Sequence, residues 1–466
     1  MTETRPSSKR LILFLIIITS FINPFLGAAI NIALPAISEE FSMGAIGMSW
    51  VAMAFLLSSA VFLVPLGKLA DIKGRKKIFL IGNIIIAASS IFCALSPQGA
   101  MLIIFRGIQG IGSAMVFGTG IAIITSVYPP GERGKAIGIT VTSVYVGLSV
   151  APFLGGILTQ YLGWRSIFYF TIPFEVLVIW LTWRSVREEW ADARGERFDL
   201  PGSLIYLLSM SAFMYGFSRL PDTPAIFLSA AGFLGLIAFV ILEMKVKSPV
   251  FNIRLFKSNR RFALSNLAAL INYATTFAIT FLLSLYLQYI LGLSPRDAGM
   301  ILITQPLMMA LVASISGKLS DTHDPRILAS AGMAIIVVGL IMLSFLSENT
   351  SLTYLVVILA VVGFGFGMFS SPNTNAIMGS VDKKYLGIAS ATVGTMRLTG
   401  QMMSMGIATL ILQLHIGNNP ISASLSSEFI SSMRSTFLIF VILCTLGVFF
   451  SLARGKSGDT ANQNEN

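Results

Sequence analysis

Long apolar runs with almost no charge recur along the whole chain, and they limit what it can fold into more than any other feature. Examples lie at 11–19, 78–94 and 435–452. Only 11% of the 466 residues are charged, whereas soluble domains carry about 25%. So few charges cannot cover a soluble globule with polar surface. The sequence therefore predicts an all-α integral membrane protein.

The apolar runs divide into fourteen segments, each long enough to cross a hydrocarbon layer of about 30 Å. The first run follows basic residues, as a signal peptide does, but it extends well past a signal-peptide core. We therefore treat it as the first span. No intervening stretch is long enough for a soluble domain, and we expect the tail 454–466 to be disordered. The predicted spans are 11–35, 46–66, 78–96, 100–126, 134–160, 165–185, 202–219, 224–243, 262–290, 298–317, 327–346, 352–372, 387–413 and 435–453.

The distribution of basic residues supports this span count. With the N-terminus in the cytoplasm, 26 of the 32 Lys and Arg residues fall in cytoplasmic segments, four in outer loops and two inside spans. Cytoplasmic loops of membrane proteins carry such an excess. The asymmetry predicts that both termini are cytoplasmic. It also accounts for the net charge of +11 without a nucleic-acid partner.

A short internal repeat indicates two related halves. The sequence GKLAD at 67–71 follows the second span, and GKLSD at 317–321 follows the tenth. We predict two six-helix bundles, spans 1–6 and 9–14, with spans 7 and 8 inserted between them. The corresponding segments are 1–188, 189–250 and 251–466. Two parallel halves around a central cavity are one route to alternating access.

Several motifs resemble those of the major facilitator superfamily. The segment 67–77 resembles its loop motif, 106–114 its fourth-span motif, and 138–156 its fifth-span antiporter motif, with Ala151 where glycine is usual. Further matches at 31–35, 163–169, 255–256 and 286–294 resemble the fourteen-span drug:proton antiporter branch. The resemblance covers essentially the whole chain. It implies the major facilitator fold, with two six-helix bundles plus two inserted helices, and alternating access.

The resemblance also implies roles for two motifs. In the loop motif, a conformational latch is expected, in which charged groups contact neighbouring helices in one access state; the candidates are Gly67, Asp71, Arg75 and Asp321. The alternative is that the basic residues only enforce topology. In the antiporter motif, the small-residue face is expected to meet the opposite bundle and limit leak; its residues are Gly147, Pro152, Gly155 and Gly156. The alternative there is ordinary helix packing.

One departure from the family pattern concerns proton handling. The family usually has an acidic residue in the first span, five positions before Asn31, where this chain has Leu26. Glu175 is the acid that lies deep in a predicted span, the sixth. Because burial favours the neutral form of a carboxyl group, Glu175 could bind and release a proton. It could equally neutralise a cationic substrate. We hypothesise that it replaces the missing acid; the alternative is a permanently protonated or arginine-paired structural residue.

Two arginines also fall inside spans. A charge in a span costs about 2.5–3.5 kcal/mol, so Arg106 and Arg397 should face the bundle interior. Gln109, one helical turn from Arg106, could share its site. The alternative for Arg106 is snorkelling to the outer headgroups. Arg397 is predicted either to pair with Glu175 or to bind an anionic group of a substrate.

Polar side chains in the spans are candidates for lining a substrate cavity. Amides are costly in lipid, so most should face inward. The alternative for each is a structural hydrogen bond between helices. The residues that we assign to the cavity are Asn31, Gln109, Gln288 and Asn373.

These features favour a secondary active transporter that exports small lipophilic or amphipathic compounds by proton antiport. The alternatives are an exporter of a specific anionic metabolite that uses Arg106 and Arg397, and a non-transporting sensor on the same fold. The sequence contains no GxxxxGK[ST] phosphate loop. It also shows no metal-ligand spacing or nucleophile–base pair. We therefore expect no enzyme activity and no cofactor, and a monomer in the cell membrane with small-molecule substrates and protons as partners.

Overall fold

The computed structural model describes residues 8–246, 249–251, 253–320, 322–381, 386–417, 421 and 425–455. These residues form sixteen α-helices and one π-helical turn, and they contain no strand. The helices are α1 Lys9–Phe41, α2 Ala45–Lys73, α3 Arg75–Ala94, α4 Gly99–Val127, α5 Pro130–Leu162, α6 Ser166–Ser185, α7 Leu200–Ser218, α8 Thr223–Glu243, α9 Arg254–Ser258, α10 Arg260–Leu285, the π-helical turn Tyr286–Ile290, α11 Pro295–Leu302, α12 Thr304–Leu319, α13 Pro325–Leu343, α14 Leu352–Met378, α15 Leu386–Ile416 and α16 Ser426–Leu452.

The predicted all-α membrane architecture is confirmed. Within the described ranges, thirteen helical segments are long and apolar enough to cross a membrane. The predicted span 387–413 coincides with α15, which has 31 residues and is therefore long enough to cross as well. It carries the polar residues Arg397, Gln401 and Gln413.

Several helices extend beyond the apolar runs from which they were predicted. For example, α1 continues to Phe41, six residues past the predicted end at 35. A helix keeps its backbone hydrogen bonds after its side chains become polar, so apolar content underestimates its length. The predicted span 298–317 is also interrupted, since α11 ends at Leu302 and α12 begins at Thr304.

The chain divides into two compact units, Met1–Phe251 and Asn252–Asn466, and each packs its helices in the same order. In the first unit, α2 and α3 pack on α4, α1 packs on α5, and α3 packs on α6. In the second unit, α12 and α13 pack on α14, α10 packs on α15, and α13 packs on α16. A matching hydrogen bond occurs in both: Ser59 Oγ donates to Gly110 O (3.2 Å), and Ser316 Oγ donates to Gly367 O (2.8 Å). This common pattern agrees with the predicted internal repeat.

The two inserted helices, α7 and α8, belong to the first unit. They pack chiefly on each other, and α7 also contacts α2. The Tyr206 hydroxyl donates to Ala60 O of α2 (3.3 Å). Most side chains of α8 are exposed apolar groups, such as Phe227 and Leu234, as expected of a helix that faces lipid. The predicted division at 189–250 as a separate insert stays a prediction.

The start of the C-terminal tail is ordered, which corrects the expectation of disorder from 454 onward. Arg454 is 3% exposed and lies directly after α16. Its guanidinium donates to Ser265 Oγ (3.2 Å), Asn373 Oδ1 (2.6 Å) and Pro325 O (2.9 Å). These three bonds join α10, α13 and α14 at one end of the second unit.

Candidate functional site

Arg106 lies at the centre of a buried polar network in the first unit. Its side chain is fully buried, two turns into α4, so the snorkelling alternative is wrong. Nε donates to Val51 O of α2 (3.1 Å), and Nη1 donates to Gln109 Oε1 (2.5 Å). The guanidinium lies 4.4 Å from the centre of the Phe55 ring. These contacts offset the cost of burying the charge.

The network extends from α4 to a third helix. Gln109 Nε2 donates to Ser90 Oγ of α3 (2.8 Å), so α2, α3 and α4 are linked through Arg106 and Gln109. The predicted contact between these two residues is therefore present. Nη2 of Arg106 is buried and has no hydrogen-bond acceptor among the described residues.

Glu175 lies in the interior of the first unit. It is fully buried near the middle of α6, and no described group donates a hydrogen bond to either carboxylate oxygen. It shares a helix face with Thr171 and Thr182. Thr182 lines a small cavity with Ile16 of α1 and with side chains of α3 and α4. The face that carries Glu175 is therefore directed into the core of this unit and away from lipid.

Glu175 lies on a helix that packs against α1, which carries the position of the missing first-span acid. The ring of Phe170, five residues before Glu175 on α6, lies 5.3 Å from the ring of Phe25 on α1. Leu26, the next residue on α1, is fully buried. The two helices therefore pack together at this level of α1.

Arg397 belongs to the second unit. It lies on α15, is partly buried, and is close enough to Tyr273 of α10 to act electrostatically on its hydroxyl. The contacts of Arg106 described above are with Val51, Gln109 and Phe55, and none of these is Glu175. The pairing of Arg397 with Glu175 stays a prediction.

The remaining cavity candidates occupy different settings. Asn31 is buried in α1. Gln288 lies in the π-helical turn, where its Nε2 donates to Ser284 Oγ (3.0 Å). A π-helical turn inside a span often marks a functional position.

Asn373 is engaged at both ends of its amide. Its Nδ2 donates to Ser265 O (3.1 Å), and its Oδ1 accepts from Arg454. Asn373 therefore forms a hydrogen bond between helices, which was the alternative to lining a substrate cavity. Sequence reasoning missed Arg454, although a basic residue directly after the last apolar run was a possible signal. Burial lowers the pKa of Arg454 to about 10, so it stays charged at neutral pH.

The latch candidates lie at the junction of α2 and α3. Arg75 is 8% exposed and forms ion pairs with Asp71 (2.7 Å) and Asp192 (2.7 Å). It also donates to Ser126 Oγ of α4 (2.7 Å). Gly67 lies against Gly118 of α4. The fourth candidate, Asp321, lies outside the described residues.

The segment between α6 and α7, residues 186–199, covers this junction, and we call it the linker. Glu189 accepts hydrogen bonds from the backbone N–H of Lys76 (2.8 Å) and Lys77 (3.2 Å), which open α3. A carboxylate at a helix N-terminus is favourable. Backbone bonds from Arg75 N to Trp190 O (2.8 Å) and from Ala193 N to Asp71 O (3.0 Å) continue the contact. Sequence reasoning missed these partners.

The antiporter motif packs against α1 of its own unit. A Cβ atom at Gly147 would overlap the carbonyl of Phe21, and one at Gly155 would lie 3.0 Å from Ala29 Cβ. Pro152 is inside α5, and Gly156 is buried. For Gly147 and Gly155, the structure shows contact with α1 of the same unit. The contact of this face with the opposite bundle, which the resemblance implies, stays a prediction. The absence of a side chain lets the two helices approach closely.

An ion pair fastens the opposite end of the first unit. Arg165, between α5 and α6, donates to both carboxylate oxygens of Glu40 at the end of α1 (2.7 and 2.6 Å). Trp164 Nε1 donates to the same carboxylate (2.7 Å). The Glu40 hydrogen bond raises the pKa of Arg165, so this pair stays charged across the physiological range.

The fold and the buried charged groups define a polytopic helical membrane protein built from two similar units. The sequence profile described as Major Facilitator Superfamily matches residues 16–264 and 265–465. The chain therefore belongs to the Major Facilitator Superfamily, and it is a multi-pass membrane transporter.

Individual relatives agree with this assignment. The riboflavin transporter RibZ of Clostridioides difficile (strain 630) is 28% identical over 96% of this chain and 99% of its own length. The multidrug resistance protein Stp of Mycobacterium tuberculosis (strain ATCC 25618 / H37Rv) is 32% identical over 83% of this chain and 73% of its own.

A known crystal structure has the same fold. It is a bacterial homologue of the human lysosomal transporter Spinster, in an inward-facing and unoccupied conformation. The TM-score is 0.69, the sequence identity is 18%, and the match covers 96% of each chain.

Proposed function

We propose that this transporter exports small lipophilic or amphipathic compounds from the cell in exchange for protons, and that Glu175 carries the proton. The observation that carries this proposal is the burial of Glu175 without any described hydrogen-bond donor to its carboxylate. A carboxylate that is desolvated and unpaired is costly, so the group takes up a proton when it is enclosed. It releases the proton when alternating access brings it into contact with water.

Arg106 has a different part in this proposal. Its guanidinium is already bonded to Val51 O and Gln109 and remains charged, so it organises the core of the first unit and does not carry the proton. Its free Nη2 provides one donor for substrate. Arg397 provides a second cation in the other unit. Export is favoured because the fifth-span motif resembles that of antiporters, and because Stp is named a multidrug resistance protein.

A second candidate is transport of one particular metabolite. Its support is the relationship with RibZ, a riboflavin transporter that aligns with this chain over 99% of its own length. Two cations inside spans, Arg106 and Arg397, suit a substrate with an anionic group. In this second candidate function, the two arginines select the substrate, and Glu175 still carries the coupling proton.

We further propose that the protein resides in the cell membrane as a monomer, with both termini in the cytoplasm. The excess of basic residues in the segments assigned to the cytoplasm supports this orientation.

The test is a transport screen in proteoliposomes with an imposed pH gradient. A lipophilic cationic dye, an aromatic organic acid and riboflavin are offered to the wild type and to Glu175→Gln. The proposal predicts that the pH gradient drives accumulation of the dye in the wild type, and that a protonophore abolishes it. Accumulation of the dye by Glu175→Gln should not respond to the pH gradient.

The outcomes separate the two candidates. Gradient-driven transport of riboflavin or the organic acid, without transport of the dye, favours the metabolite transporter. Transport that ignores the pH gradient in the wild type contradicts proton antiport for both. Glu39→Gln is the matched control, because Glu39 is exposed at the end of α1 and undergoes the same chemical change.

A further inference from the structure

A second pair of acidic groups meets in the inserted helices, away from Glu175. Asp199 directly precedes α7, and Glu243 is the last residue of α8. Glu243 is 1% exposed, although α8 itself is mostly exposed. Neither residue has a part in the function proposed above. An acid this deeply buried at the end of a lipid-facing helix calls for a physical account.

One oxygen of each carboxyl group accepts a hydrogen bond from a backbone N–H. Asp199 Oδ1 accepts from Gly202 N (2.9 Å) and caps α7. Glu243 Oε2 accepts from Phe251 N (2.9 Å). Val250 N is a further backbone neighbour of Glu243. The acid at the end of α8 therefore holds the chain just before the second unit begins at Asn252.

The other oxygens of the two carboxyl groups face each other. Asp199 Oδ2 and Glu243 Oε1 are buried, and no described N–H or hydroxyl donates to either. Both lie over the Cα of Gly202: a Cβ atom there would overlap Asp199 Oδ2 and would lie 2.7 Å from Glu243 Oε1. The two side chains are within hydrogen-bonding reach of each other.

A hydrogen bond between two carboxyl groups requires a proton, because an ionised carboxylate can only accept. Two adjacent carboxylates cannot both remain charged without a large cost, as in other acid pairs. The N-terminal end of α7 favours the charged form of Asp199, whereas the C-terminal end of α8 disfavours a negative charge on Glu243. The proton therefore belongs on Glu243.

We propose that Asp199 and Glu243 form a proton-binding site in the inserted helices, in which protonated Glu243 donates its hydrogen to Asp199 Oδ2. Asp199 is the ionisable group that faces Glu243 from the α7 side. Tyr206, about two turns further along α7, directs its hydroxyl to Ala60 O of α2. On the chain after α8, Lys245 is exposed, and Lys247 lies outside the described residues.

Loss of this proton has a structural consequence. Two negative charges then meet over Gly202, and Glu243 must move away from Asp199. The movement weakens its hold on Phe251 N and separates the end of α8 from the start of α7. The junction before the second unit is therefore tighter in the protonated form.

Infrared spectroscopy of the purified protein tests the site directly, because a protonated carboxyl group has its own C=O stretching band. The measurement is made at neutral pH on Glu175→Gln, which removes any contribution of the buried acid in α6. We expect the band in this background and its loss when Glu243→Gln is added. Adding Glu39→Gln instead should leave the band, because Glu39 is exposed and lies apart from the inserted helices.

Asp199→Asn in the same background separates a proton site from a merely buried acid. Asparagine still caps α7 and can donate to Glu243, so Glu243 should ionise and the band should disappear at neutral pH. Absence of the band before Glu243 is changed would overturn the proposal, as would its persistence in Asp199→Asn. Stabilisation by Na⁺ or K⁺ without the band would instead indicate a cation site. Because these variants all lack Glu175, the result does not depend on the proposed coupling role.

Discussion

At the scale of single residues, the hydrogen-bond partners of a buried charge determine what it can do. Arg106 and Glu175 are both fully buried in the first unit. Arg106 is bonded to a carbonyl and an amide, so its charge is stabilised permanently and it serves the structure. Glu175 has no described donor, so its charge is unstable while it is enclosed. Only the second arrangement suits a group that must change its protonation state.

Removal of the Arg106 side chain tests its structural role. Arg106→Ala leaves Val51 O and the Gln109 amide without their partner and opens a space in the core. The free energy of unfolding should fall by about 2–4 kcal/mol, measured by thermal or denaturant unfolding in detergent micelles. Arg10→Ala, at an exposed position at the start of α1, is the control and should change stability by less than about 0.5 kcal/mol. Equal stability of the two variants would contradict the assigned role.

At the scale of helices, two kinds of contact hold the first unit together: close packing of α1 on α5, and the linker that covers the junction of α2 and α3. The first depends on glycines that leave room for the facing backbone. The second depends on carboxylates of the linker that accept from backbone and side-chain donors of the loop. Both contacts lie within one unit, so they are tested by its stability and by its protease sensitivity.

Gly147→Ala tests the close packing. The new methyl group overlaps the Phe21 carbonyl, so α1 and α5 must separate, and stability should fall by about 1–3 kcal/mol. Gly138→Ala is the matched control in the same helix, because no atom lies within 4 Å of a Cβ atom there. Alanine should be neutral or slightly stabilising at 138. The two variants are compared by thermal unfolding. Equal loss of stability in both would argue against close packing of α1 on α5 at Gly147.

Arg75→Ala tests the linker contact. The variant loses the ion pairs to Asp71 and Asp192, so the linker should detach more often. Trypsin should then cut faster after the exposed residues Arg194 and Arg197, as followed by mass spectrometry on inside-out vesicles. Lys73→Ala, at an exposed position in the same loop, should leave the cutting rate unchanged. If trypsin cuts Arg75→Ala no faster than the wild type, the role of Arg75 in holding the linker is refuted.

The sequence predicted local features of these elements well and distant contacts poorly. Spans were predictable because each is one continuous apolar run. The Arg106–Gln109 contact was predictable because residues three apart share a helix face. The contact of Glu189 with Lys76 joins positions 113 apart and leaves no local pattern. The bond of Arg454 to Asn373 joins positions 81 apart, and so a tail residue expected to be disordered proved to be buried.

At the scale of the whole molecule, two units with the same packing pattern agree with membership in the Major Facilitator Superfamily. The chain departs from the drug:proton antiporter pattern at Leu26, in the first span. Glu175 is a buried acid on α6, which packs on α1. In the proposed function, Glu175 couples substrate movement to proton movement.

The most direct measurement is proton movement driven by substrate. Proteoliposomes that contain a trapped pH indicator are given a gradient of a substrate identified in the transport screen, with no initial pH difference. The account predicts that the wild type and Glu39→Gln move protons in the direction opposite to the substrate. Glu175→Gln should move substrate without protons. Proton movement in Glu175→Gln at the rate of the wild type would contradict the account.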